Sequence, residues 1–379
     1  MSSVEEFRAE IRDWLRSQLS RELAELKGRG GPGREHEVFA ERLAWERHMA
    51  AHGWTCVGWP TEYGGRGASI EEQIAFHEEY ALADAPARVN HIGEQLLGPT
   101  LIAYGTEEQK ARFLPPIVAV EELWCQGYSE PDAGSDLAGV RTRAELDGDT
   151  WRVNGQKIWT SLAHESQWCF VVARTDPGSH RHAGLSYLLV PMDQPGVEVR
   201  PIVQLTGTSE FNEVFFDDAR TDAAHVVGEV GDGWRVAMAT LGFERGVSTL
   251  GQQVGFAREL QALVGLAGRT GALADPLLQD RFVRAWTGLE VMRAHARRTD
   301  VSPSVAKNHW ARWHRDLGEL AMDVRGAASL LAASGPYELD DWQRLFLFAR
   351  ADTIYAGSDE IQRNIIAERV LGLPKEAKA

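Results

Sequence analysis

Gly127-Tyr128-Ser129-Glu130-Pro131-Asp132-Ala133-Gly134-Ser135-Asp136-Leu137-Ala138-Gly139 opens the most specific part of this chain. Taken alone it reads as a polar turn, because Pro, Asp, Gly and Ser are the commonest turn formers. A second phrase, Asn154-Gly155-Gln156-Lys157-Ile158-Trp159-Thr160-Ser161, follows it, and between them Asp147-Gly148-Asp149 has the composition of a hairpin turn. Further on come the β-like runs Trp168 to Ala173, Leu185 to Val190 and Glu213 to Phe216, separated by Asp, Gly and Pro clusters as antiparallel strands require. Residues 121–225 therefore read as a β-region. Residues 1–120 read as helices, with Phe7, Ile11, Trp14 and Leu15 at helical spacing, interrupted at Gly30-Gly31-Pro32-Gly33 and at Trp59 to Gly67. Over 226–379 the period is again helical, and Val236, Phe243, Val247, Leu250 and Val254 form one apolar stripe.

Bulk composition excludes several classes. Hydrophobic and charged fractions of 44% and 25% are those of an ordinary soluble globular protein. A formal charge of −15 opposes a nucleic-acid surface, which needs a basic footprint. Met1 to Phe7 has no cationic stretch followed by an apolar run, so no secretory signal is expected, and no apolar run approaches the ~20 residues of a membrane span. Cys56, Cys125 and Cys169 share no CxxC spacing and are odd in number, which points to a reduced, cytoplasmic compartment. No His/Cys/Asp cluster has metal-ligand spacing.

In order and spacing, these phrases resemble the acyl-CoA dehydrogenases, although Tyr128 stands where a smaller aliphatic residue is common. Tyr104-Gly105-Thr106-Glu107-Glu108-Gln109-Lys110 and Asn212-Glu213-Val214-Phe215-Phe216-Asp217-Asp218 extend the resemblance over essentially the whole chain. It implies an α+β fold: an N-terminal helical domain (1–120), a central antiparallel β-domain (121–225) and a C-terminal four-helix bundle (226–379). It also implies bound FAD, with Gln126, Tyr128 and Ser129 along the flavin, Trp159 and Ser161 against its ring, and Ser358 among the cofactor contacts. The acyl-CoA substrate would meet Ser135, Arg245 and Gly357. Such an enzyme removes an α-proton with a carboxylate while the β-hydride passes to flavin N5, giving a trans-2-enoyl-CoA. Electrons then pass to an electron-transfer flavoprotein.

The loop Ile354-Tyr355-Ala356-Gly357-Ser358-Asp359-Glu360-Ile361-Gln362-Arg363 resembles the family's active-site loop, except that alanine stands where the catalytic glutamate is usual. Alanine keeps its backbone N–H, which in this family hydrogen-bonds the thioester carbonyl together with the ribityl 2′-hydroxyl. The base must lie elsewhere. Glu244-Arg245 matches the helix position that the isovaleryl- and long-chain enzymes use, and a desolvating pocket would raise the Glu244 pKa toward the range of a general base. Asp359 and Glu360 read instead as first-turn acids of a helix capped by Ser358, with Ile361, Ile365, Ile366 and Val370 as its apolar face.

Two departures bear on assembly. Typical members lend a neighbouring subunit's FAD an arginine before Phe-Gly and a glutamine ahead of a Gly-Gly-x-Gly turn. Here Arg269 lacks the Phe-Gly, and Asp323 to Ser329 lacks both the glutamine and the paired glycines. The resemblance thus leaves open a homotetramer and a heteromeric α2β2 enzyme. It also leaves open a non-catalytic partner subunit or a flavin oxidase on the same scaffold.

Overall fold

Five helices come first: α1 (Val4–Gln18), α2 (Phe39–Ala51), α3 (Ile70–Leu82), α4 (Gly98–Tyr104) and α5 (Glu107–Val118). The structure, a computed structural model, describes residues 3–247, 249–296, 298, 301–332, 335 and 338–375; at 21, 22, 244–247, 249 and 250 it describes the backbone only. On α1 the expected stripe is buried as Phe7, Ile11 and Leu15, and Ser3 with Glu6 closes a capping box at its start. Helix α5 begins with another box, Thr106 with Gln109. Gln109 is also bonded beyond its helix: its Nε2 donates to the carbonyls of Ala224 and Val226 at 2.6 and 2.7 Å, tying α5 to the exit of the β-region.

The central strands are β1 (Trp124–Gly127), β2 (Arg143–Asp147), β3 (Thr150–Ser161), β4 (Trp168–Arg174), β5 (Leu185–Pro191), β6 (Val197–Ile202) and β7 (Phe211–Asp222). They form one seven-stranded sheet in the order β1-β4-β2-β3-β7-β6, with β5 paired to β4. Pairing is antiparallel except for β1 with β4 and a single parallel pair between β2 and β4. The long connection from β1 to β4, which contains the β2–β3 hairpin, makes parallel pairing reachable. That hairpin turns at Gly148 (φ +65°), with Asp147 opposite Thr150. The continuous apolar run of β4 is buried on both faces: Phe170 and Val172 join a core shared with Trp124, Tyr187 and Val236, while Cys169, Val171 and Ala173 join Val153, Leu188 and Val214.

Helices α6 (Gly233–Val247), α7 (Thr249–Thr270), α8 (Pro276–Ala296), α9 (Pro303–Arg325), α10 (Asp341–Asp352) and α11 (Asp359–Ile365) complete the chain. A third core of Phe256, Leu260, Phe282, Leu289, Trp313 and Leu317 joins α7, α8 and α9, and Leu345 of α10 packs against it. The single stripe expected from Val236 to Val254 runs over α6 and α7, between which residue 248 lies outside the described residues. Val236 is core, Phe243 borders a cavity and Val254 is half-buried; the side chains of Val247 and Leu250 lie outside the described residues. Among the described residues, no helix is long and apolar enough to cross a membrane.

Candidate active site

A buried ion pair welds the two quoted phrases together. Lys157 of β3 is fully buried, and its Nζ donates to Glu130 Oε1 at 2.7 Å, to the Tyr128 carbonyl at 3.0 Å and to the Val172 carbonyl at 2.8 Å. Glu130 accepts further bonds from the N–H groups of Arg141 (2.6 Å) and Thr142 (2.9 Å). Burial lowers the Lys157 pKa, opposed by Glu130. Burial alone would raise the Glu130 carboxyl, but Lys157 and the donated hydrogen bonds hold it below its usual value. Ile158 N–H adds a bond to the Ser129 carbonyl at 2.9 Å. The sequence reads Glu130 as part of a turn and does not single out Lys157; the available signal was a lysine in the interior of a strand-like run, followed by Ile158 and Trp159.

This weld positions the residues expected along a flavin. Gln126 is the penultimate residue of β1 and Ser129 lies just beyond the strand, both half-buried. The register of β3 on β7 shifts between Lys157 and Thr160, and at the shift Trp159 adopts φ +60°, a strained conformation for a bulky residue. Its indole is turned outward, 55% exposed, edge-on to Phe211 at 6.2 Å, and Ser161 lies two residues on. Tyr128 behaves differently from a ring contact. Its side chain is buried edge-on to Phe170 and Tyr187, and its hydroxyl donates to the Ala237 carbonyl of α6 at 3.4 Å, so only its backbone is left for a ligand. Ser135 is exposed in the turn beyond the Glu130–Ala133 bridge.

The second wall is the connection from α10 to α11. Ala356 sits at φ +51° and Gly357 at φ +87°. Gln362 Nε2 clamps both, donating to the Ala356 carbonyl at 2.8 Å and the Gly357 carbonyl at 3.4 Å. Among the described residues, the Ala356 N–H meets no acceptor. Ser358 caps α11, its hydroxyl accepting from Ile361 N–H at 3.4 Å. Asp359 is buried against Arg312 Nε at 2.7 Å, and Glu360 is held low by its own backbone N–H and by Ser358. Neither is a poised base. The buried residues of α11 are Asp359 and Gln362, while Ile361, Ile365 and Ile366 are only half-buried and Val370 is exposed.

A cavity of about 590 Å³ is bordered by α3, α4, α6, the end of α8 and the start of α9. Gly242 and Phe243 border it, immediately before Glu244 in α6; the side chains of Glu244 and Arg245 lie outside the described residues. Ala306 borders it too, next to Lys307, whose ammonium lies 5.2 Å from the Tyr355 ring. His77 stands in the wall with its pKa lowered to about 4 by burial and by Arg88, so it is neutral near pH 7.

The family models described as acyl-CoA dehydrogenase N-terminal, middle and C-terminal domain match residues 2–121, 125–219 and 231–371. The chain belongs to the acyl-CoA dehydrogenase family. Acyl-CoA dehydrogenase IpdE1 of Mycobacterium tuberculosis is 68% identical over 100% of both chains, and IpdE1 of Mycolicibacterium smegmatis is 66% identical over the same full span. Among solved structures, the Tcur3481-Tcur3483 steroid ACAD shares 29% identity and superposes with a TM-score of 0.83 over 98% of each chain. The ChsE4-ChsE5 complex from Mycobacterium tuberculosis shares 32% identity with a TM-score of 0.79, over 99% of this chain and 98% of that one. This acyl-CoA dehydrogenase is thus an oxidoreductase acting on CH–CH bonds, with FAD as cofactor. Its β wall fits a flat, hydrogen-bonding group. The indole of Trp159 is open, and Gln126 Nε2 and Thr160 Oγ1 are buried without partners among the described residues.

Proposed function

We propose that this chain is the base-bearing subunit of a heteromeric α2β2 acyl-CoA dehydrogenase that converts a bulky, steroid-derived acyl-CoA into its trans-2-enoyl-CoA. The observation that carries the reading is the α10–α11 loop, which keeps an uncommitted Ala356 N–H while lacking a carboxylate at that position. Glu244, one residue beyond the cavity residue Phe243, takes the α-proton. The Ala356 N–H meets the negative charge that develops on the thioester oxygen. Ser135, Arg245 and Gly357 contact the acyl-CoA. When bound along Gln126, Tyr128, Ser129, Trp159, Ser161 and Ser358, FAD supplies the hydride acceptor. Reducing equivalents pass to an electron-transfer flavoprotein.

A cavity near 590 Å³ is in the range of drug-sized ligands, and a structural neighbour is titled a steroid ACAD. Association with another subunit is supported by apolar side chains left open on α8, Leu277, Val283 and Trp286, and by Leu330 and Leu331 just after the Asp323 to Ser329 segment, and a heteromeric one by the ChsE4-ChsE5 and Tcur3481-Tcur3483 neighbours. Arg269 is exposed at the end of α7. Cys125 and Cys169 are register partners on β1 and β4 and remain free thiols, which favours the cytoplasm. Expressed alone, the chain should retain FAD poorly. Co-expression with a related subunit should give a yellow complex whose oxidised band bleaches anaerobically with acyl-CoA. Stoichiometric FAD in a stable homotetramer would overturn the heteromer, and a complex that substrate never bleaches would overturn the assigned chemistry.

A further inference from the structure

A chain of charged groups, buried at His314, Asp352 and Lys307, runs through the bundle to the α10–α11 loop, and the reaction proposed above makes no use of it. Glu259 of α7 and Asp352 of α10 hold the His314 imidazole of α9 from opposite sides, at 3.0 Å on Nε2 and 2.6 Å on Nδ1. The second oxygen of Asp352 accepts the Tyr355 hydroxyl at 2.6 Å. Lys307 Nζ donates to the Asp352 carbonyl and stands over the rings of Trp310 (4.9 Å) and Tyr355 (5.2 Å). Burial lowers the His314 pKa, but Glu259 and Asp352 outweigh it and lift the value to about 10, so the ring is an imidazolium at neutral pH.

Such a cluster is a poor way to stabilise a bundle, because desolvating several charges offsets most of their mutual attraction. Its geometry, however, ends at Tyr355, one residue before Ala356 in its left-handed conformation. A non-glycine residue holds that conformation only where its surroundings over-determine it. Gln362 fixes the far side of Ala356, and the Asp352–Tyr355 bond fixes the near side. We propose that His314 and Asp352 are positioning residues that, through the Tyr355 hydroxyl, aim the Ala356 N–H at the thioester oxygen. The proposal rests on the reading of Ala356 as the carbonyl's donor.

The test uses the FAD-loaded complex with trans-cinnamoyl-CoA, a chromophoric enoyl thioester whose absorbance moves to the red when its carbonyl is polarised. In H314Q and Y355F the red shift should shrink, while cinnamoyl-CoA affinity and FAD content stay within about twofold of wild type. Flavin bleaching by acyl-CoA should slow by about 10- to 100-fold, less than the ~10²–10³ expected for losing an oxyanion donor outright. Y355F removes a single hydroxyl, so it decides the matter by itself if H314Q does not fold. A native red shift in Y355F overturns the proposal. So does a rate loss accompanied by an equal loss of FAD or affinity, which marks a merely structural role. A wild-type complex that leaves cinnamoyl-CoA unshifted overturns the underlying reading of Ala356.

Discussion

The two walls of the site are fixed by different chemistry. On the β wall a buried lysine, Lys157, and a buried carboxylate, Glu130, lock two segments together through side chains, and the strained backbone at Trp159 turns an indole outward. On the loop wall what matters is backbone: a left-handed Ala356 whose N–H is uncommitted, clamped from both sides by Gln362 and Tyr355. A wall that works through side chains cannot lose one cheaply. A wall that works through an N–H can, since every residue except proline supplies it. This difference explains how the loop can carry alanine where family members carry their base.

The largest effect is expected from Glu244→Gln, which keeps side-chain size but removes the carboxylate proposed to accept the α-proton. Bleaching of the FAD-loaded complex should slow by ~10²–10⁴-fold with FAD content unchanged. Adding Ala356→Glu should restore part of the rate, by approaching the same α-carbon from the other wall. A near-native rate in Glu244→Gln would return the search to a carboxylate of the partner.

Lys157→Met should destabilise the β wall by about 3–5 kcal/mol, because Glu130 is left charged and buried without its partner. Denaturant unfolding measures this, and release of FAD should accompany it. An effect below about 1 kcal/mol would mean that the pair does not act as the weld.

On the loop wall, His314 predicts a pH dependence. Its folded pKa, about 10, lies above the usual imidazole value of 6.5. Its contribution is therefore fully present below about 6.5 and is lost as pH rises through about 10. The Tm gap between wild type and H314Q should be widest near pH 6 and should narrow steadily toward pH 10; a gap independent of pH would exclude the imidazolium. The smallest effect belongs to Ala356→Gly, which relieves a left-handed alanine worth about 1 kcal/mol while keeping the N–H. Tm should rise slightly and bleaching should persist. A large rate loss would show that the methyl group itself shapes the loop.

Much of this was legible without coordinates. The alternation of short apolar runs with Asp-Gly turns specifies the strands, since side-chain period and turn chemistry are local properties. The hairpin at Gly148 and the cap at Ser358 appear where those residues predict them. The absent loop carboxylate is likewise a fact of sequence. Burial and partnership were not legible, because they depend on segments far apart in the chain. Lys157 meets Glu130 across 27 residues and His314 meets Glu259 across 55. Asp359, read as a first-turn acid, is also an ion-pair partner of Arg312. The stripe from Val236 to Val254 has one helical period, yet its Phe243 borders a cavity. By itself the sequence determined the three-part order of helix, sheet and helix, the turns and caps, and the loss of the loop base, all of which follow from neighbours in the chain. Which charges are buried, which N–H is left uncommitted and which apolar faces stay open were decided only when helices and strands packed, because desolvation and hydrogen-bond partners exist only in three dimensions.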